Sequence, residues 1–265
     1  MNIILATGNH NKIREFKAIL QEQCIQDSIN VYAYSDFIAP FEIEEGGSSF
    51  KENAAIKLRA VYEAFITKAR DDKGFYATLC TLLQDSATFI AEDSGLCIPA
   101  LDDEPGIYSA RYCEYIQSKE EQIDKCPSNS TDEENLYCLI QKLSLLAQGA
   151  GTQHSVFQTP AYFIAHIAMA RIAPLESCRD SAPSYSPLYS PLPQDVCIEH
   201  FEGVLQGCVQ NKKRGIHGFG YDPIFIPYES NPNKQTLAEF SLSAKNSLSH
   251  RKKAISKCIA RLFDI

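Results

Sequence analysis

Apolar residues fall along this chain in two periods, and the switches between them outline its elements. Asn2 to Ala6 is a short apolar run with β-branched residues, broken by Thr7-Gly8-Asn9-His10, and it predicts a buried strand. From Asn11 to Gln21 the spacing changes. Ile13, Phe16, Ile19 and Leu20 recur at helical intervals, with Lys12, Arg14, Glu15 and Lys17 between them. The chain therefore opens strand, turn, helix. Ser49 stands three residues before Glu52, the spacing of a capping box. It predicts a long helix to about Lys68 with Ala54, Ala55, Leu58, Val61, Tyr62 and Phe65 as its buried stripe.

Further along, Phe89 to Ala91 predicts a second buried strand that ends at Glu92-Asp93-Ser94-Gly95. Asn135 to Leu146 is helical by Leu136, Leu139, Ile140 and Leu143. Ala161 to Ile172 and Phe201 to Val209 read as strands, and Ser249 caps a last helix faced by Ala254, Ile255, Cys258, Ile259 and Leu262. Strands alternating with helices give an α/β class, and the run of strands in the second half favours a mixed sheet. Three stretches read as insertions: 71–86, with a short extra helical piece; 113–132, polar and acidic; and 174–197, where Pro174, Pro183, Pro187, Pro191 and Pro193 prevent a packed element.

Composition narrows the class. With 265 residues the chain can bury one core, as one domain or two packed lobes. Its net charge of −8 opposes a nucleic-acid-coating role, which needs Lys and Arg against phosphates. No signal peptide and no membrane-length apolar run is evident, so a cytoplasmic protein is expected. Ten cysteines are scattered without a C-x-x-C pair, so they read as reduced thiols and not as a zinc site.

Four groups carry chemistry. Thr7-Gly8-Asn9-His10-Asn11-Lys12 is a turn opening a helix, where free N–H groups and a lysine favour phosphate. It also reads as an ordinary βα turn. Glu92-Asp93 after a strand can hold Mg²⁺ or activate water, and Glu44-Glu45 before Gly46-Gly47 offers another acid. Gly218-Phe219-Gly220-Tyr221-Asp222-Pro223 offers close backbone approach, a stacking face and, in Asp222, a hydrogen-bonding group for a base edge. It also reads as a glycine-rich hairpin. Lys245 with Ser249-His250-Arg251 puts cations on the first turn of a helix, which a bound anion would offset.

In order and spacing, these groups resemble the inosine triphosphate pyrophosphatase family. The matching blocks are Leu5-Ala6-Thr7-Gly8-Asn9-x-x-Lys12, Ser49-Phe50-x-Glu52-Asn53-Ala54, Ala91-Glu92-Asp93-Ser94-Gly95-Leu96, Pro105-Gly106-Ile107-Tyr108-Ser109-Ala110-Arg111-Tyr112, Gly218-Phe219-Gly220-Tyr221-Asp222-Pro223-Ile224-Phe225, and Ala238-Glu239 through Lys245-Asn246-x-x-Ser249-His250-Arg251. The resemblance implies an elongated α/β fold with a long mixed sheet, flanking helices and two lobes around a substrate cleft, working as a homodimer. It implies Mg²⁺-dependent hydrolysis of aberrant purine nucleoside triphosphates (ITP, dITP, XTP) to the monophosphate and pyrophosphate. By matched position, Thr7 to Lys12 would grip the triphosphate. Asp93 would be the catalytic and metal-linked carboxylate, with Ser94 at the substrate. Glu45 would be the second metal-linked acid, with Glu44 competing for that role. Phe219, Gly220, Tyr221, Asp222, Lys245, His250 and Arg251 would form the base and phosphate pocket. A related pyrophosphatase with another base choice, or a nucleotide sensor without catalysis, are the alternatives.

Overall fold

The first apolar run becomes strand β1 (Asn2–Leu5), and the helical spacing after it becomes α1 (His10–Glu22). In the computed structural model, residues 1–22, 29–84, 87–121, 130–149, 151, 156–172 and 197–263 are described. The proline-rich stretch 174–197 lies almost wholly outside the described residues, as does much of the polar stretch 113–132.

The remaining elements follow in chain order: β2 (Asn30–Ala33), α2 (Phe50–Asp71), α3 (Lys73–Leu83), β3 (Ala87–Cys97), α4 (Tyr112–Glu121), α5 (Asp132–Gly149), β4 (Gln158–Ile172), β5 (Glu199–Gln210), β6 (Phe225–Pro227), α6 (Leu242–Leu248) and α7 (His250–Phe263). One six-stranded sheet runs β2-β1-β3-β4-β5-β6. β1 pairs in parallel with β2 and with β3, whereas β5 and β6 are antiparallel, so the sheet is mixed as expected.

Two compact units emerge: residues 1–93, 166–202 and 254–265, and residues 94–165 and 203–253. The first is built on α2. Ser49 caps it by accepting the Glu52 N–H at 3.2 Å. Glu52 answers one residue early, taking the N–H and hydroxyl of Ser48 at 2.7 and 2.8 Å instead of the cap's own N–H. Of the predicted stripe, Ala54, Leu58, Val61, Tyr62 and Phe65 are buried and Ala55 is half-buried. The buried residues pack on Ile4 of β1, on Ala87, Phe89 and Ala91 of β3, and on Ala168, Ala170 and Ile172 of β4. Phe65 and Tyr62 meet Phe89 edge to face at 5.5 Å. The extra helical piece expected within 71–86 is α3, capped by Asp72 and burying Phe75, Tyr76, Leu79, Leu82 and Leu83 in the same core.

The second unit has its own core of Leu96, Ile98, Tyr112, Leu139, Leu143, Phe163, Leu205, Val209, Ile224 and Phe225, among others. α4 forms where only a polar insertion is read from the sequence, and it packs on α5. Asn135 of α5 joins them, accepting the Cys113 N–H at 2.9 Å and donating to the Ala110 carbonyl at 3.1 Å. That packing corrects the reading of every cysteine as a reduced thiol. Cys113 and Cys138 form a disulfide with Cα atoms 5.5 Å apart, a neighbourhood their sequence separation conceals. Cys97, Cys197, Cys208 and Cys258 are free. Among the described residues no helix is long and apolar enough to cross a membrane.

One feature of the first unit predicts acid sensitivity. His166 on β4 and His200 on β5 lie with ring centroids 5.3 Å apart. Among the described residues, His166 Nε2 and His200 Nδ1 are buried without a hydrogen-bond partner. Burial pushes both imidazoles below their ordinary range, and Lys51 pushes the same way on each, while Glu202 and Asp93 pull His166 back. As pH falls below about 6.5, the unfolded chain takes up protons that the folded chain declines, so folding stability falls with pH. His166→Leu is therefore expected to shrink the loss of urea midpoint between pH 7.5 and pH 5. An unchanged loss removes the pair as its source.

Candidate functional site

Strand β3 carries the acids, and here the structure corrects the sequence reading. The strand does not end at Ala91 but runs on through Glu92-Asp93-Ser94-Gly95 to Cys97. The two carboxylates therefore sit on the strand, not on a loop after it. Alternation turns neighbours to opposite faces. Asp93 faces α2, and its Oδ1 lies 2.7 Å from Lys57 Nζ. Glu92 meets Lys12 of α1, with Oε1 3.5 Å from Nζ. What reads in sequence as one acidic pair is two separate ion pairs.

Lys57 is the residue that sequence reasoning missed. Its side chain is only 14% exposed and its Nζ also lies 2.9 Å from Glu45 Oε2. Burial disfavours the ammonium, but Asp93 and Glu45 outweigh it, and its pKa stands above the ordinary lysine range. The available signal was position: Lys57 stands four residues after Asn53, one helical turn on, beside the buried stripe. Glu45 rather than Glu44 joins this group, since Glu44 is exposed. Asp93 is 6% exposed, and its Oδ2 is buried without a hydrogen-bond partner among the described residues. A buried carboxylate oxygen left without a donor suits a ligand atom, a water proton or a cation.

The phosphate turn is organised by its own side chains. Thr7 Oγ1 accepts the Asn9 N–H at 3.1 Å, and Asn9 Oδ1 accepts the Lys12 N–H at 3.3 Å. Asn9 is thus the cap of α1. Thr7 is half-buried, and Gly8, Asn9 and His10 are exposed. Asn11 is the second residue of α1, and its side chain is outside the described residues.

In the second unit the glycine-aromatic block makes a tight turn. Gly218 has φ of +84°, and a Cβ there would fall 2.2 Å from Asp222 Oδ2. Asp222 Oδ2 accepts the Phe219 N–H at 2.8 Å and lies 2.5 Å from Lys245 Nζ. Burial pushes the Asp222 carboxyl up, and Lys245 draws it back only in part. Asp222 therefore shapes the turn with its Oδ2. Gly220, with φ of +56°, donates its N–H to Asp132 at 3.0 Å. The Tyr221 hydroxyl donates to the Ser109 carbonyl at 2.9 Å, and burial drives its pKa upward. Phe219 is 51% exposed, with Lys245 Nζ 4.2 Å from its ring centroid.

The helix start fits the expectation. Ser249 accepts the Lys252 N–H at 3.4 Å, and α7 begins at His250. His250 stacks on Phe163, with centroids 5.0 Å apart and planes 10° apart. Arg251 is 7% exposed and reaches Ser94 Oγ with Nη2 at 3.4 Å. So the first unit groups Glu45, Lys57 and Asp93, and pairs Lys12 with Glu92. The second groups Ser94 with Arg251, and Phe219 and Asp222 with Lys245.

Comparison with known proteins places the chain in a family. The chain is 46% identical over 265 residues to a dITP/XTP pyrophosphatase of Helicobacter hepaticus, covering all of this chain and 99% of that one. It is 32% identical over 255 residues to a dITP/XTP pyrophosphatase of Nautilia profundicola, covering 96% of this chain and 94% of that one. Among solved structures, the Staphylococcus aureus Ham1 protein superposes with a TM-score of 0.64 at 30% identity, covering all of this chain and 99% of that one. A HAM1 protein from Coxiella burnetii gives 0.62 at 28% identity, with both chains fully covered. Residues 3–261 match the Ham1 family, and the chain belongs to it.

Proposed function

We propose that the whole chain works as one pyrophosphatase domain that hydrolyses ITP, dITP and XTP to the nucleoside monophosphate and pyrophosphate. The observation that carries this reading is the Asp93 carboxylate, with one oxygen held by Lys57 and the other buried and unpartnered. The names of the relatives supply the substrate class. A cytoplasmic enzyme acting as a homodimer on a small nucleotide, with no nucleic-acid or membrane partner, is part of the same proposal.

In the mechanism, Asp93 Oδ2 accepts a proton from a water whose oxygen bonds to the α-phosphorus. The bond from that phosphorus to the bridging oxygen breaks, and pyrophosphate leaves. Lys57 fixes the carboxylate so that this oxygen stays presented. Thr7, Gly8, Asn9, His10, Asn11 and Lys12 hold the triphosphate, with the positive end of α1 favouring its charge.

The acids fit a hard divalent cation such as Mg²⁺. Glu45 and Asp93 converge on one ammonium, and Asp93 keeps an orphaned oxygen. Among the described residues no group of three or more His, Cys, Asp or Glu could hold a metal alone, so phosphate and water oxygens would complete its shell. When bound there, Mg²⁺ would neutralise charge on the phosphate oxygens.

Base choice falls to the second unit. Phe219 offers an exposed ring for stacking, Gly220 and Tyr221 shape the turn, and Ser94, Lys245, His250 and Arg251 supply polar contacts. Hypoxanthine and xanthine present a 6-oxo acceptor where adenine presents an amino donor. A buried donor left unpaired costs roughly 1–3 kcal/mol, enough to reject ATP by about five- to 150-fold per donor.

The test is pyrophosphate release from ITP, XTP, dGTP and ATP, with and without Mg²⁺. Fast Mg²⁺-dependent release from ITP and XTP alone is the expected result, and orthophosphate as product defeats the mechanism. Arg251→Ala is expected to cut the ITP to ATP ratio of kcat/KM by roughly ten-fold or more. An unchanged ratio removes Arg251 from base reading.

A further inference from the structure

Asn53 stands on the first turn of α2, wholly buried, and makes one side-chain hydrogen bond. Its Oδ1 accepts the Gly47 N–H at 2.9 Å, while its Nδ2 is buried with no partner among the described residues. A half-satisfied buried amide is a poor stability device, because an apolar side chain would avoid the unpaired donor. The reason for an asparagine here must lie in the bond it makes.

That bond holds the loop carrying Glu45. Gly47 lies two residues after it, and a Cβ on Gly47 would fall 2.6 Å from Asn53 Oδ1 and 2.8 Å from Glu52 Cβ. The loop therefore lies directly against the start of α2. Glu52 pins it too, through Ser48, but at an exposed position where water competes. The Asn53 end of its bond is wholly buried. One turn along the same helix, Lys57 receives the Glu45 carboxylate at 2.9 Å. One helix thus carries both the anchor of the loop and the charge partner of the acid it presents.

We infer that Asn53 is the positioning residue for Glu45, holding the Gly46-Gly47 loop so that this carboxylate is presented at Lys57. The inference rests on the role proposed for Glu45 in pyrophosphate release. A displaced carboxylate weakens the reaction without removing the nucleotide contacts, so the loss belongs in kcat rather than KM.

The test is a double-mutant cycle on the full chain, with ITP turnover and melting temperature measured for Asn53→Ala, Gly47→Ala, Glu45→Gln and their pairs. Asn53→Ala is expected to lower kcat by roughly 30-fold with the ITP KM nearly kept, since small misplacements cost up to about a hundred-fold. In the Glu45→Gln background the same change should lower kcat less than about two-fold, while its effect on melting temperature stays the same. Gly47→Ala breaks the contact from the loop side and should repeat this pattern, and it decides the question if Asn53→Ala does not fold. A full additional loss on top of Glu45→Gln overturns the inference alone, as does a lower melting temperature with unchanged kcat. Full activity of Glu45→Gln itself defeats the proposed role of Glu45, and the inference falls with it.

Discussion

Asp93→Asn is expected to lower kcat for ITP by about 10³-fold or more while nucleotide binding survives. The amide is nearly the same size as the carboxylate, so packing around β3 has little reason to change. What changes is basicity. Asparagine cannot take a proton from water, and positioned proton transfer contributes typically 10²–10⁴-fold. A second loss adds to it, because the amide leaves Lys57 with one anion in place of two. The triphosphate turn and the aromatic block do not involve Asp93, so binding of ITP should change little. Single-turnover release of pyrophosphate, with ITP binding followed by calorimetry, separates the two quantities. A variant that keeps its turnover excludes Asp93 as the base, and one that loses binding and turnover together shows that it serves the nucleotide rather than the water.

The pattern of the sequence carried most of the frame because most of the frame is periodic. The stripe on α2 buries one face, β4 and β5 alternate over most of their length, and β1 is a continuous buried apolar run from Ile3 to Leu5, so each leaves a readable pattern. β2 and β6 span four and three residues, and both are absent from the sequence reading. The end of β3 was misjudged for a chemical reason. Glu92-Asp93-Ser94-Gly95 has the composition of a turn, yet the polar residues alternate to ion-pair on both faces of the strand. Sheet pairing and charge compensation override local propensity there.

Site legibility followed the same division. Asp93, Glu45 and Lys12 were legible because acids and a lysine near glycine turns are chemically conspicuous. Asp222 was legible as a candidate, but the turn contacts of its Oδ2 with Phe219 and Lys245 were not. Lys57 was hidden. A lysine on a long amphipathic helix reads as solvated, and only the opposed acids of β3 and of the Gly46-Gly47 loop make it a buried cation. Side chains whose function depends on two distant partners leave no local signature.

Lys57→Met separates the electrostatic role of that cation from the proton transfer done by Asp93. Methionine fills a similar volume and leaves Glu45 and Asp93 without their shared counter-charge. Two carboxylates that lose a common cation cannot both stay ionised at low cost, and the pair then holds a proton to higher pH. The expected result is a kcat at pH 7 reduced by roughly a hundred-fold, with a rate that recovers as pH rises. The sign follows from the base: only the deprotonated carboxylate accepts a proton from water, so a raised pKa moves the acid limb of the kcat/KM profile upward. Stability should fall as well, since removing one partner of a buried ion pair costs about 3–5 kcal/mol before the carboxylates relax by protonation. Asp93→Asn shows no such recovery, because it has no base to restore. Profiles of kcat/KM between pH 5.5 and 9.5 distinguish the two variants, and a flat loss in Lys57→Met across that range would mean that the lysine acts on the substrate directly rather than through the acids.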